Sequence, residues 1–150
     1  MNEVVIEKEF SQTPATVFSF LSEPLNLLKW WGPEGIKITE GSKLQFLETG
    51  PWGSVMTNSE GQNYKVTGEV LEIIPQKLIK FTWAWHDDED KRGHESVVQF
   101  KVESIEGGGT RFSLIHKGLA DEESAQNHMG GWTSSLKRFE ALITATKMNV

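Results

Sequence analysis

A chain of 150 residues suits one domain spanning 1–150, and at that length it buries roughly 68–70% of its unfolded surface without staples. The lack of cysteine excludes disulfides and thiolate metal sites, and a net charge of −6 without a basic cluster excludes nucleic acid as a partner. The N-terminus MNEVVIEKEF carries acids inside its short apolar run, so neither a signal peptide nor membrane insertion is expected, and the reading is a soluble, cytoplasmic monomer or homodimer.

Glu3 to Phe10 reads as a strand with Val4, Ile6 and Phe10 on one face. Alternation puts Lys8 on that face too, so it either snorkels out or is turned away by a bulge. Thr13 as N-cap and Pro14 at the first position open a short helix with Val17, Phe18 and Leu21 inward. Pro24 starts a second helical stretch that ends at Trp30-Trp31-Gly32-Pro33. Period-two segments follow around 43–46, 52–57, 64–73, 79–85, 98–102 and 112–117. Leu71 and Ile73 break the phase of the third, which predicts a bulge near Val70. Short turns between these strands imply an antiparallel meander.

Asp121 to Lys147 reads as one long helix. Ala125, Met129, Trp132, Leu136, Phe139 and Ile143 recur at steps of four and three, which is one stripe of a helix. Asp121 is placed as N-cap with Glu122 and Glu123 in the first turn; Lys137, Arg138 and Lys147 suit the negative end of the dipole. Gly130 and Gly131 interrupt the stripe, each at a cost of ~1 kcal/mol in a helix interior. Either the helix begins near Gly130, or the pair forms a flexible or closely packed joint over a cavity mouth. The fold class is α+β: a curved antiparallel sheet of six or seven strands around a long C-terminal helix, with two short helices after the first strand.

Several local motifs resemble one family. They are Pro14-x-x-Val17-Phe18, Trp30-Trp31-x-Pro33, Gly68-x-Val70 with Ile73-x-Pro75, Leu78-x-x-Phe81-x-Trp83, Thr110-x-Phe112-x-Leu114-x-His116-x-Gly118-Leu119 and Gly131-Trp132-x-x-x-Leu136. In this order and spacing the chain resembles the activator of heat-shock-protein-90 ATPase homologue-like family, within the SRPBCC (START/Bet v-like) superfamily. The resemblance implies a helix-grip fold with a deep cavity between sheet and helix, used for apolar or aromatic ligands. Members include self-sacrificing resistance proteins and relatives of polyketide cyclases. The eukaryotic chaperone activator adds a second, chaperone-binding domain, which this sequence is not expected to contain.

The sequence offers little else for chemistry. His94-Glu95 lacks a second histidine for a zincin motif, and His86-Asp87-Asp88-Glu89-Asp90 lacks the ligand pattern of an EF-hand and reads as a solvated hairpin loop. The glycine runs at 107–109 and 130–131 lack a phosphate-loop context, and no G-x-S-x-G occurs. No cofactor or metal is expected, and catalysis has no direct support.

The six tryptophans and eight phenylalanines are more telling. Phe18, Leu21, Trp31, Phe46, Tyr64 and Trp83 are assigned to an inner face, together with Trp85, Leu114, Met129 and Trp132. Trp52 and Met56 are placed at the rim. Tyr64 and His116 are the expected polar anchors, although His116 also reads as a hydrogen-bonded core histidine. His128 is expected to face solvent, with the pocket entrance as the alternative. The leading expectation is a binder of a small apolar molecule, aromatic or polyketide/lipid-like. The alternatives are a cyclase-type enzyme using His116 with Tyr64 or a carboxylate, and a co-chaperone-like regulator.

Overall fold

The computed structural model describes residues 2–39 and 43–148. Strand β1 (Val4–Phe10) leads into helices α1 (Pro14–Ser22) and α2 (Pro24–Trp30). Then come β2 (Lys37–Ile38), β3 (Gly50–Thr57), β4 (Asn63–Ile74), β5 (Leu78–Trp85), β6 (Ser96–Ser104), β7 (Thr110–Lys117) and helix α3 (Glu122–Met148). The strands form one antiparallel sheet in the order β1-β7-β6-β5-β4-β3-β2. Six strands therefore meander, and β1 closes the far side against the last of them.

Local chemistry explains most boundaries. The Thr13 hydroxyl accepts from the Thr16 N–H at 3.3 Å, and Pro14 occupies a position whose N–H has no helical partner anyway. The Asp121 carboxylate accepts from the Ser124 N–H at 2.7 Å and caps α3. Lys147, expected near the other end, has its side chain outside the described residues. The β4–β5 register slips between Val70 and Glu72, where the broken alternation placed it. Gly68 admits a close crossing: a Cβ there would sit 2.0 Å from the Thr82 carbonyl oxygen and 2.6 Å from the Trp52 indole nitrogen. Its absence lets the Trp52 indole donate to Thr82 O at 2.9 Å.

One expectation changes and two open alternatives are decided. Residues 43–46 form no strand, and the short strand lies instead at Lys37–Ile38. Leu44, Gln45 and Phe46 are all buried, because Gln45 turns inward to hold a turn. Its Oε1 accepts from the Leu47 and Glu48 N–H groups, and its Nε2 donates to Glu48 O and Pro51 O. Lys8 needs no bulge: β1 pairs with β7 in unbroken register from Val4↔His116 to Phe10↔Thr110. It stays on the inner flank and its Nζ meets Glu140 of α3 at 2.9 Å. Helix α3 runs without interruption through Gly130 and Gly131, and a Cβ at either would meet nothing within 4 Å, so the joint is not closely packed.

The core lies between the sheet and α3. Trp132, Leu136, Phe139 and Ile143 are buried there, with Phe139 edge-on to Trp30 at 4.9 Å and to Phe10 at 5.6 Å. Met129 departs from the stripe, with 41% of its surface exposed.

Candidate functional site

The N-terminal half of α3 overhangs a cavity of about 660 Å³. Its other walls are Trp31, Gly32, Pro33 and Ile36 after α2, Met56 of β3, Tyr64 of β4, and Trp83 and Trp85 of β5. Four tryptophans make one continuous surface. Trp31 meets Trp132 edge-on at 5.8 Å, Trp132 lies 5.1 Å from Trp83, and Trp83 meets Trp85 edge-on at 5.4 Å. Offset and edge-on contacts of this kind favour ring packing over face-to-face stacking. Helix α3 contributes Ser124, His128, Gly131 and Ser135, spaced by four, three and four residues. That set lies one residue before the apolar stripe, on the adjoining helical face. Asp121 and Glu123 join the lining, and among the described residues no Lys or Arg does.

Two histidines stand behind and beside these rings. Trp132 Nε1 can only donate, and it donates to His116 Nδ1 at 3.0 Å. The His116 Nε2–H therefore donates to Ser96 Oγ at 2.7 Å, and that hydroxyl donates to Trp83 O. Burial, with a smaller contribution from His128, lowers the His116 pKa to about 3. His128 repeats the pattern: its Nε2 accepts from Trp85 Nε1 at 2.9 Å and its Nδ1–H donates to Ser124 O at 2.7 Å. Burial lowers its pKa too, against the opposing effect of that Ser124 bond. Both imidazoles are held neutral and have both nitrogens engaged.

The remaining indoles divide sharply. Trp30 donates to Phe20 O at 2.8 Å and Trp52 to Thr82 O. The indole nitrogens of Trp31 and Trp83 are buried without a partner. A buried donor left so costs about 1–3 kcal/mol.

The segment 31–36 is tied to α3. Arg138 Nη1 donates to Gly32 O at 2.9 Å and to Trp31 O and Pro33 O at 3.3 and 3.4 Å; Nη2 donates to Lys29 O. The Glu34 N–H donates to Ser134 Oγ at 3.2 Å.

Of the predicted site residues, Trp31, Met56, Tyr64, Trp83, Trp85 and Trp132 line the cavity. Phe18, Leu21, Phe46, Trp52 and Leu114 do not; they are packed core. Phe46 stacks on Phe81 at 4.4 Å, which leaves no free face on that side. His116 is wholly buried behind Trp132 rather than exposed as an anchor. Met129 lies in a separate depression with Asn2, Val4 and Ala125. Tyr64 is at the rim, 44% exposed, with its hydroxyl bonded to Gln62 Oε1 and Asn58 Nδ2. The proposed His116–Tyr64 pair is therefore not assembled. His128, expected in solvent, lines the cavity. Alternation reports which face a residue takes, not how far along that face a hollow begins.

Among the described residues no three His, Asp or Glu side chains group as a metal site. In the 86–90 loop, Asp87 Oδ1 accepts from the Glu89 and Lys91 N–H groups. Lys65 pairs with Asp90 at 3.1 Å and, together with His86, holds its carboxyl below the usual range. Among the described residues no helix is long and apolar enough to cross a membrane.

A sheet gripping one long helix around a lateral cavity defines the SRPBCC class of proteins. Residues 11–144 match the family described as "Activator of Hsp90 ATPase homolog 1-like protein", and the chain belongs to that family. The crystal structure of an AHSA1 protein from Silicibacter pomeroyi is 43% identical, covering 96% of this chain and 99% of that one, with a TM-score of 0.92. A Chromobacterium violaceum protein, 23% identical over 95% of this chain and 98% of its own, has a TM-score of 0.82. A Mycobacterium smegmatis protein, 22% identical over 97% and 92%, has a TM-score of 0.75. These last two share the fold. No curated protein matches the chain.

Proposed function

We propose that this chain, as one cytoplasmic domain, binds a small and mostly apolar molecule, aromatic or polyketide/lipid-like, in the cavity under α3. The observation that carries this is a hollow of about 660 Å³ walled by Trp31, Trp83, Trp85 and Trp132. Its size falls in the range of small-molecule pockets, and a ring-built wall whose surface is mostly apolar suits an apolar guest. A core built only for stability would fill this space, since unfilled volume costs packing. The family's fold is consistent with ligand binding in such a cavity. The cyclase alternative loses its named pair, because both His116 nitrogens are engaged. The co-chaperone alternative draws on the family name alone.

A thermal-shift screen of small aromatic and acyl compounds tests the reading. A ligand at 100 times its dissociation constant stabilises the fold by ~2.7 kcal/mol. The signal should disappear in Gly131→Trp, whose side chain would occupy the cavity. A screen without shifts, or shifts unchanged in that variant, overturns the proposal.

A further inference from the structure

The two unpaired indoles narrow the chemistry of the guest. Building on the ligand-binding reading above, we infer that the molecule held under α3 carries a neutral carbonyl-type oxygen that accepts from the indole N–H groups of Trp31 and Trp83.

The chain has six indole donors. Four have acceptors at 2.8–3.0 Å: Phe20 O, Thr82 O, His128 Nε2 and His116 Nδ1. The two without one belong to rings that line the cavity and are 2% and 6% exposed. The third unpaired buried atom, Ser54 Oγ, belongs to a residue outside the lining. Buried polar groups are nearly always satisfied, so a pair of orphans at one hollow calls for a partner from outside the chain. Trp31 and Trp83 are neighbours, with ring centroids 6.0 Å apart. A carbonyl oxygen has two lone pairs and hence capacity for both donors. Both nitrogens are shielded from solvent, so the inferred contact requires the two rings to turn on uptake.

The acceptor is neutral because of what surrounds it. Asp121 and Glu123 line the cavity, no Lys or Arg among the described residues does, and His128 has both nitrogens engaged. A buried carboxylate would lack a counter-charge there. The polar anchor thus comes from tryptophan donors rather than from His116 or Tyr64.

Three probes of one shape test this: acetylnaphthalene, isopropenylnaphthalene, which replaces the oxygen by carbon, and naphthoate. Affinities are measured by tryptophan fluorescence for the native chain and for Trp31→Phe and Trp83→Phe. Each ligand's own desolvation cancels when the ketone-to-hydrocarbon ratio is compared between proteins. That ratio should fall roughly tenfold in each variant, the scale of one hydrogen bond. Indole proton resonances of the unmutated protein give a readout that needs no variant. The ketone should move those of Trp31 and Trp83 downfield and leave Trp30 and Trp52 in place, and the hydrocarbon should not. If both neutral probes bind with an unchanged ratio and unmoved resonances, the acceptor is overturned while the ligand-binding reading stands. If neither binds, that reading fails and this one with it. Naphthoate binding as tightly as the ketone overturns the neutrality.

Discussion

His116 shows how much one side chain can commit the fold to a charge state. Its ring joins Trp132 to Ser96, and protonation would turn the acceptor Nδ1 into a donor facing another donor. With the folded pKa at about 3 against 6.5 unfolded, the unfolded chain binds the proton first as pH falls. Stability is therefore full above about pH 6.5 and declines toward pH 3, by roughly 1.4 kcal/mol per pH unit from this residue. His128, lowered in the same direction, adds to the decline. Urea unfolding between about pH 7 and 5, above most carboxylate titration, should show this slope. In His116→Gln the slope should be shallower at the cost of a lower plateau; an equal slope would remove His116 as its source.

At the scale of the element, α3 carries two jobs on adjoining faces. Trp132, Leu136, Phe139 and Ile143 bind it to the core, whereas Ser124, His128, Gly131 and Ser135 roof the cavity. The first stripe is legible because large apolar residues at steps of three and four have one common explanation. The second was equally periodic but made of small and polar residues, which ordinarily mark a solvent face. The glycines themselves have open space around a Cβ. Gly130→Ala and Gly131→Ala should each raise stability by up to ~1 kcal/mol in equilibrium unfolding. If ligand shifts survive in both, a flexible joint is not part of uptake. Arg138 fixes the roof to the wall after α2 through carbonyls of Lys29, Trp31, Gly32 and Pro33. Arg138→Ala should cost about 2 kcal/mol, since charge-assisted bonds are lost. It should also speed hydrogen exchange at the Trp31 amide, which donates to Leu27 O; unchanged exchange would show the segment holds without it.

For the molecule as a whole, the order of strands and helices was readable because turns, caps and period two agree over most of the chain. The failures arise where a residue's particular neighbours override the period. Gln45 breaks its alternation to serve Pro51, and Phe46 gives its N–H to Ser22 O. The sequence suggests the rim for Trp52, but the gap at Gly68 draws its indole across to Thr82. Met129 keeps the helical period yet lies in a depression lined by Asn2, Glu3, Val4 and residues of its own helix, 41% exposed. Depth in the hollow likewise depends on how closely Phe46, Phe81 and Phe100 fill the opposite end, and their rings lie 4.4–6.0 Å apart.

The pairing of β1 with β7 also dictates a timetable. Val4 waits for His116, more than a hundred positions later, so at roughly 5–20 residues per second of synthesis the first segment spends on the order of ten seconds with no place to go. Contacts this remote in sequence make for slow assembly. The newborn polypeptide is thus committed to close this edge of its sheet late.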